Sequence, residues 1–139
     1  MASGAYQTGV NAIVTQSLNL TSSTIKAALM LSSYTYNPDQ DNMSDISASE
    51  ASGATRQTLA NDAWAVDDTN NRVYYDADNI TFSAVTTGQT VAGVAIHYAS
   101  GADATSTLIC YNEFSGTIAT NGGDITVTFD STGILRLQD

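Results

Sequence analysis

From residue 57 onward, the chain is a succession of short β-favouring runs, and this feature constrains its fold most. Turn-forming stretches such as DTNN, TTG, NGG and STG separate the runs, which are QTLANDAWAVDD, NRVYYDA, NITFSAV, QTVAGVAIHYA, STLICYNEF, DITVTFD and ILRL. In DITVTFD, Ile125, Val127 and Phe129 alternate with polar residues, as in a strand with one face in the core. VAGVAIHYA is apolar on both faces and is predicted to be a central strand. The succession of short strands predicts an antiparallel β-sandwich.

The N-terminal segment has the pattern of a short helix. Four apolar residues recur at the spacing i, i+3, i+4 and i+8, which places them on one side of a helix of about three turns: Val10, Ile13, Val14 and Leu18. Thr8 stands where a helix N-cap is expected. The fold class predicted for the chain is therefore mainly β, an antiparallel β-sandwich with a short N-terminal helix or arm within residues 1–20.

One apolar run and one long polar stretch lie between this segment and the strand-rich part. Residues 24–33, TIKAALMLSS, are predicted to form a strand that is buried on both faces, because Ser and Thr bound an apolar run. Residues 34–56 contain the only proline and few apolar side chains. We expect a long surface excursion there, with one helical turn near residues 43–48. Such a stretch is either a functional arm or a solvated loop, and the sequence favours neither.

Length and composition indicate one acidic domain, 1–139, with a core of its own. Because 42% of the residues are hydrophobic and 13% are charged, the surface must consist largely of Ser, Thr, Asn, Gln and Gly. The net charge is −10 and the four basic residues are scattered, so nucleic acid is not an expected partner. The chain begins without a basic region or an apolar run, and no stretch is long and apolar enough to span a bilayer. We therefore expect no secretion signal and no membrane contact.

Acidic residues cluster at two places, and neither has the spacing of an EF-hand. In DDTNNRVYYDAD, residues 67–78, aspartates at the ends of a β-favouring run are accompanied by Thr and Asn, which is typical of turns. PDQDNMSD, residues 38–45, lacks the glycine and the closing glutamate of a calcium loop. We interpret both clusters as turns, with a flexible calcium loop as the alternative for the first, and expect no metal ion and no cofactor.

Three residues are candidates for catalysis: His97, Cys110 and Glu113. One histidine and one cysteine cannot make a typical zinc site, and a nucleophilic Cys–His pair would need an activated thiol. Both residues lie in runs that are predicted to be sheet interior, where a thiol is inert. Glu113 follows such a run and is interpreted as the end of a strand. The sequence thus predicts a protein that is not an enzyme, in which changes at these positions alter stability alone.

Five segments follow one another in an informative order: IKAALMLSSYTYNPDQD (25–41), SDI (44–46), TLANDAWAVDDTNNRVYYDADNITFSAV (58–85), STLICYNEFSG (106–116) and DITVTFDSTGILRL (124–137). This order resembles that of a family of small virion structural proteins of tailed bacteriophages. The resemblance covers nearly the whole chain, and none of its segments is a catalytic or ligand motif. The chain departs from the family in a less basic central strand, VAGVAIHYA, and in fewer aromatic residues around SDI.

The resemblance implies a structural protein of the virion, made in the host cytoplasm, and first of all a capsid decoration (cement) protein. Its partners would be the major capsid protein and further copies of itself, as a trimer first and a dimer second. A tail, neck or fibre component is the alternative. A carbohydrate-binding β-sandwich module is a second alternative, with Trp64, Tyr74 and Tyr75 as its clustered aromatic candidates.

Attachment to a neighbouring protein requires side chains that do not complete the sandwich core. Residues 1–9 and 34–56 are poor in apolar residues for their length, yet they carry a few large side chains. We expect these side chains to anchor the partner: Tyr6, Tyr34, Tyr36, Met43 and Ile46.

Overall fold

The computed structural model describes residues 3–138, which form ten strands, one α-helix and four short 3-10 turns. The strands are β1 (Gly4–Ala5), β2 (Ile25–Leu31), β3 (Gln57–Thr58), β4 (Ala63–Asp67), β5 (Arg72–Asp76), β6 (Ile80–Phe82), β7 (Thr90–Tyr98), β8 (Leu108–Ala119), β9 (Ile125–Val127) and β10 (Leu135–Gln138). Helix α1 spans Gln7–Val14, and the 3-10 turns are Leu20–Ser22, Met43–Asp45, Ser47–Ser49 and Asp103–Thr105.

The strands form three antiparallel sheets. Their orders are β1-β8-β7-β2-β3, β10-β5-β4 and β6-β9. Every β-favouring run predicted from residue 57 onward contains a strand, and VAGVAIHYA lies in β7, the central strand of the five-stranded sheet. In β9, Ile125 and Val127 are buried while Thr126 is exposed, as the alternation predicts. The fold is therefore mainly β and antiparallel, as the sequence indicates.

Strands β2 and β7 of the five-stranded sheet are buried on both faces. In β2, Ile25, Ala27 and Leu29 face one core, whereas Ala28 and Met30 face another. Strand β7 divides its side chains in the same way. The apolar run at residues 24–33 is thus a strand covered on both sides, as predicted.

The first core lies between this sheet and the two smaller ones. Tyr75 of β5 and Leu135 of β10 contribute to it, as do Phe82 of β6 and Val127 of β9. All four side chains are buried. Because apolar and polar residues alternate in these strands, the apolar face of each small sheet packs against the five-stranded sheet. Water is thereby excluded from the space between the two layers.

Residues 34–56 are here called the cover segment. Met43 and Ile46 of this segment close the second core on the opposite face, whereas Ala51 and Ala54 near its end belong to the first core. The cover segment is joined to β2 by a hydrogen bond from the amide of Ala51 to the carbonyl of Leu29, at 2.8 Å. The amide of Met43 donates to Ser106, at 3.0 Å. Two 3-10 turns lie where one helical turn is expected. The prediction that the excursion does not contribute to the core is wrong, because Met43 and Ile46 are buried in the second core.

Helix α1 differs from its prediction in start, end and buried face. It begins at Gln7, with buried Tyr6 in the N-cap position, and Thr8 is not the cap. It ends at Val14, and Gln16 adopts a positive φ of 62° that does not continue a helix. The apolar stripe is buried only in part: Ile13 packs against the first core and Leu18 belongs to it, whereas Val14 is exposed. Gly9 is the buried residue of the helix itself.

Gly9 allows the helix to touch the backbone of β8. A Cβ at this position would lie 2.7 Å from the Cα of Ile109, and still closer to the carbonyl oxygen of Leu108. Backbone atoms cannot move aside as the end of a flexible side chain can. The absence of a side chain therefore sets the distance between α1 and the sheet.

We expect Gly9→Ala to lower the free energy of unfolding by about 1–3 kcal/mol, because the methyl group forces α1 away from β8. Urea titration of the purified protein measures the change. Gly116→Ala is the matched control, since a Cβ there meets nothing within 4 Å and its φ is not positive. The control should be neutral or slightly stabilising. Equal stability of the two variants would show that the contact is not tight.

Candidate functional site

The five side chains expected to anchor a partner lie together in and around the second core. Tyr6, Met43 and Ile46 are buried, and Tyr34 and Tyr36 are partly buried against them. The structure contradicts the premise that these side chains are free. They complete the second face of the five-stranded sheet, so the three buried ones are not available as anchors.

Tyrosine hydroxyl groups tie the N-terminal segment to the cover segment. The hydroxyl of Tyr6 lies 2.7 Å from that of Tyr34, which in turn donates to Oε1 of Gln40 at 2.7 Å. The hydroxyl of Tyr36 donates to the carbonyl of Ala5, and its ring stacks on Tyr111 at a centroid distance of 6.3 Å. Burial raises the pKa of Tyr6 and of Tyr34 above the usual range. These hydroxyl groups therefore remain protonated and serve the fold.

An ion-pair network fixes the far end of the cover segment. Arg56 donates from Nε and Nη2 to the two carboxylate oxygens of Glu50, at 2.8 and 2.7 Å. Its Nη1 lies 2.7 Å from Oδ1 of Asp103, in the loop that precedes β8. These hydrogen bonds raise the pKa of Arg56 and lower that of Asp103. One guanidinium group thus joins the cover segment to a loop that is distant in sequence.

His97 lies beside this network, under the cover segment. It lines a cavity of about 170 Å³ together with Lys26, Arg56, Asp103 and Ser106, among others. Its side chain is fully buried, with Nδ1 3.3 Å from the carbonyl of Ala95. Nε2 has no hydrogen-bond partner within residues 3–138. Burial lowers the pKa of His97 to about 4, so the imidazole is neutral at pH 7.

Cys110 and His97 lie on opposite faces of the five-stranded sheet. Cys110 belongs to the first core, and its Sγ is 3.8 Å from the carbonyl of Ile134. His97 alternates with Ile96 of that core and lies on the side of Ala95, which belongs to the second core. Burial raises the pKa of the Cys110 thiol to about 12. The two side chains therefore cannot form a nucleophilic pair.

Glu113 is within β8 rather than at its end. The strand continues to Ala119, and Glu113 lies opposite Gly93 of β7. Its amide donates to Oγ of Ser3, at 2.8 Å. The interpretation of this residue as the end of a strand is wrong, because β8 bulges away from β7 after Glu113 and then resumes its pairing.

Asp67 and Asp78 hold turns, as predicted, whereas Asp76 ends β5 and has a buried Oδ1 without a hydrogen-bond partner among residues 3–138. Asp67 accepts hydrogen bonds from the amide of Asn70 and from Nε of Arg72, across the tight connection between β4 and β5. Asp78 accepts from the side chain of Asn61, at 2.6 Å. Within residues 3–138, no three His, Cys, Asp or Glu side chains are grouped so that they could hold a metal ion.

The aromatic residues considered for sugar binding do not form one surface. Tyr75 is buried, and Trp64 packs against it at a centroid distance of 5.4 Å. Tyr74, the next residue, faces the other side of β5. The planar row of exposed rings typical of a carbohydrate-binding module is not built from these three side chains.

Comparison with protein-family models, with curated proteins and with solved structures gave no significant match to this chain. Among residues 3–138, no helix has the length and apolar character needed to cross a membrane.

We expect Arg56→Lys to lower the free energy of unfolding by about 1–2 kcal/mol, because a lysine cannot bridge two carboxylates with a planar fork. Urea titration measures the loss, and hydrogen exchange at Met43 and Ala51 should show reduced protection of the cover segment. Arg72→Lys is the control, since Arg72 contacts one carboxylate, that of Asp67. Its effect should stay below about 0.5 kcal/mol. Similar losses in both variants would argue against a special role of the bridge.

His97 should make stability depend on pH between about 4 and 6.5. The unfolded chain takes up a proton on this histidine below pH 6.5, whereas the folded chain does not until pH falls to about 4. Stability present at pH 7 is thus lost as pH falls through this window, by about 2 kcal/mol at pH 5. Urea titrations at both pH values should show the loss in the wild type and a smaller one in His97→Leu. Equal losses in both proteins would refute this assignment.

Proposed function

We propose that this chain is a structural protein of a tailed-bacteriophage particle, and specifically a capsid decoration (cement) protein that binds the outer shell and stabilises it. The observation that carries the proposal is that the segments in the family resemblance are all structural elements of the fold. Residues 25–41 contain β2 and the start of the cover segment, 44–46 lie within that segment, 58–85 contain β4 to β6, 106–116 lie mostly in β8, and 124–137 contain β9 and most of β10. The resemblance therefore rests on several elements and not on one motif, and its segments do not include α1 or β7.

The charge of the chain supports an external position. With a net charge of −10, the surface would be repelled by packaged nucleic acid and would tolerate solvent well. Two of the four basic residues, Arg56 and Arg72, are already engaged in ion pairs. Little positive charge remains to offset the acidic field.

The burial of β7 on both faces is a second observation in favour of a structural role. The cover segment and the small sheets leave no face of β7 exposed, and hydrogen bonds and ion pairs hold the cover segment in place. A protein of this kind can contribute to a shell as a rigid body. Its partners would be the major capsid protein and copies of itself around a capsid symmetry axis, where many weak contacts add up.

We expect mass spectrometry of purified particles from the phage that encodes this chain to detect the protein in many copies per particle. Image reconstruction should place its density on the outer shell. Particles from a strain with the gene deleted should release their DNA at a lower temperature, and expression of the gene from a plasmid should restore the wild-type value. Density at the tail, neck or fibre would show that the protein is a component of that part and not a decoration protein. Absence from the particle would refute the proposed function.

A further inference from the structure

Three aliphatic side chains form an uncovered row at one end of the three-stranded sheet. Val66 of β4 lies directly opposite Val73 of β5, which lies directly opposite Leu137 of β10. Their exposed fractions are 71%, 37% and 37%. Two residues away on the same face, Tyr75 and Leu135 are buried in the first core. The core-facing side of this sheet thus continues beyond the core.

The row is a concentration of apolar surface. It contains three of the five exposed large hydrophobic residues within residues 3–138, and the other two, Val14 and Ile118, belong to α1 and β8. The solvent-facing residue of β9 is by contrast Thr126, which has a comparable size and a polar group. Strand formation therefore does not require an aliphatic side chain at such positions, and a contiguous apolar patch is typical of an interaction surface.

The charges around the row distinguish between possible occupants. Arg72 beside it is paired with Asp67, and the next residue, Asp68, is exposed and forms no ion pair with a described basic residue. A second copy would bring another acidic rim and a further net charge of −10 against this one. A partner with lysine or arginine next to its apolar side chains would be attracted.

The small area of the row also favours a partner that is present in many copies. Three side chains expose far less than the ~800 Å² that each partner buries in a stable two-protein complex. A contact of this size is weak by itself. It becomes effective when many copies bind to a repeated lattice, as on a virus shell.

We propose that Val66, Val73 and Leu137 are the docking surface of this chain on the shell protein, and that the contacted shell segment presents apolar side chains next to a basic one. This inference rests on the proposed function. It assigns attachment to the end of the three-stranded sheet and not to the cover segment.

The test uses particles that lack the gene product, to which purified protein is added back and measured by cosedimentation. The double variant Val66→Thr/Val73→Thr keeps the shape of the side chains and removes apolar surface. We expect it to bind about tenfold more weakly than the wild type. Val14→Thr is the control, because Val14 is 67% exposed on α1, and it should bind as the wild type does. Thermal unfolding checks that both variants are folded.

Salt provides a second measurement. Binding of the wild type should weaken as sodium chloride rises, and Asp68→Asn should reduce this dependence more than Asp39→Asn, at an exposed aspartate of the cover segment. If the wild type and the double variant bind equally well, the assignment of the docking surface is wrong, while the proposed function stands. If the wild type does not bind, both are wrong. Solution dimers that the double variant abolishes, and that salt strengthens, would overturn the inference in favour of a second copy.

Discussion

The burial of both faces of β2 and β7 in the five-stranded sheet is the constraint on which the rest of the structure depends. Many antiparallel sheets have one face in water, but β2 and β7 carry apolar side chains on both sides. Two separate covers are therefore needed. The two smaller sheets provide one, and the N-terminal residues with the cover segment provide the other. The cover segment is poor in apolar residues, yet it can serve as a cover because a few large side chains, among them Met43 and Ile46, fill the second core together with Tyr6.

The polar interactions of the second cover follow from its composition. With few apolar side chains available, the cover segment is fixed at its margins by hydroxyl groups and by the bridge from Arg56 to Glu50 and Asp103. Buried polar groups are stabilising only when they are satisfied. His97 is the exception at this junction, since Nε2 has no partner among the described residues. Because burial lowers the pKa of His97, this junction is one acid-sensitive part of the fold.

The sequence predicts the strands well because strand patterns are local. The alternation in DITVTFD and the doubly apolar VAGVAIHYA directly report which faces are covered. The cover segment was less predictable, because its large side chains stand in turns and 3-10 helices without a regular period. Contacts between residues that are distant in sequence could not be predicted either. Arg56 and Asp103 are 47 residues apart, and the row formed by Val66, Val73 and Leu137 exists only in one strand register.

The pairing of β1 with β8 has a consequence for the synthesis of the protein. Ser3 and Glu113, which are hydrogen-bonded beside this pair, are 110 residues apart. Strand β1 leaves the ribosome well before β8, its partner strand, has been translated. The second core contains Leu108 and Tyr111 of β8, so it closes late, and a nascent chain that ends before β8 leaves this core incomplete. Such non-local topologies fold in milliseconds to seconds, which gives the growing chain a period in which it is prone to aggregation.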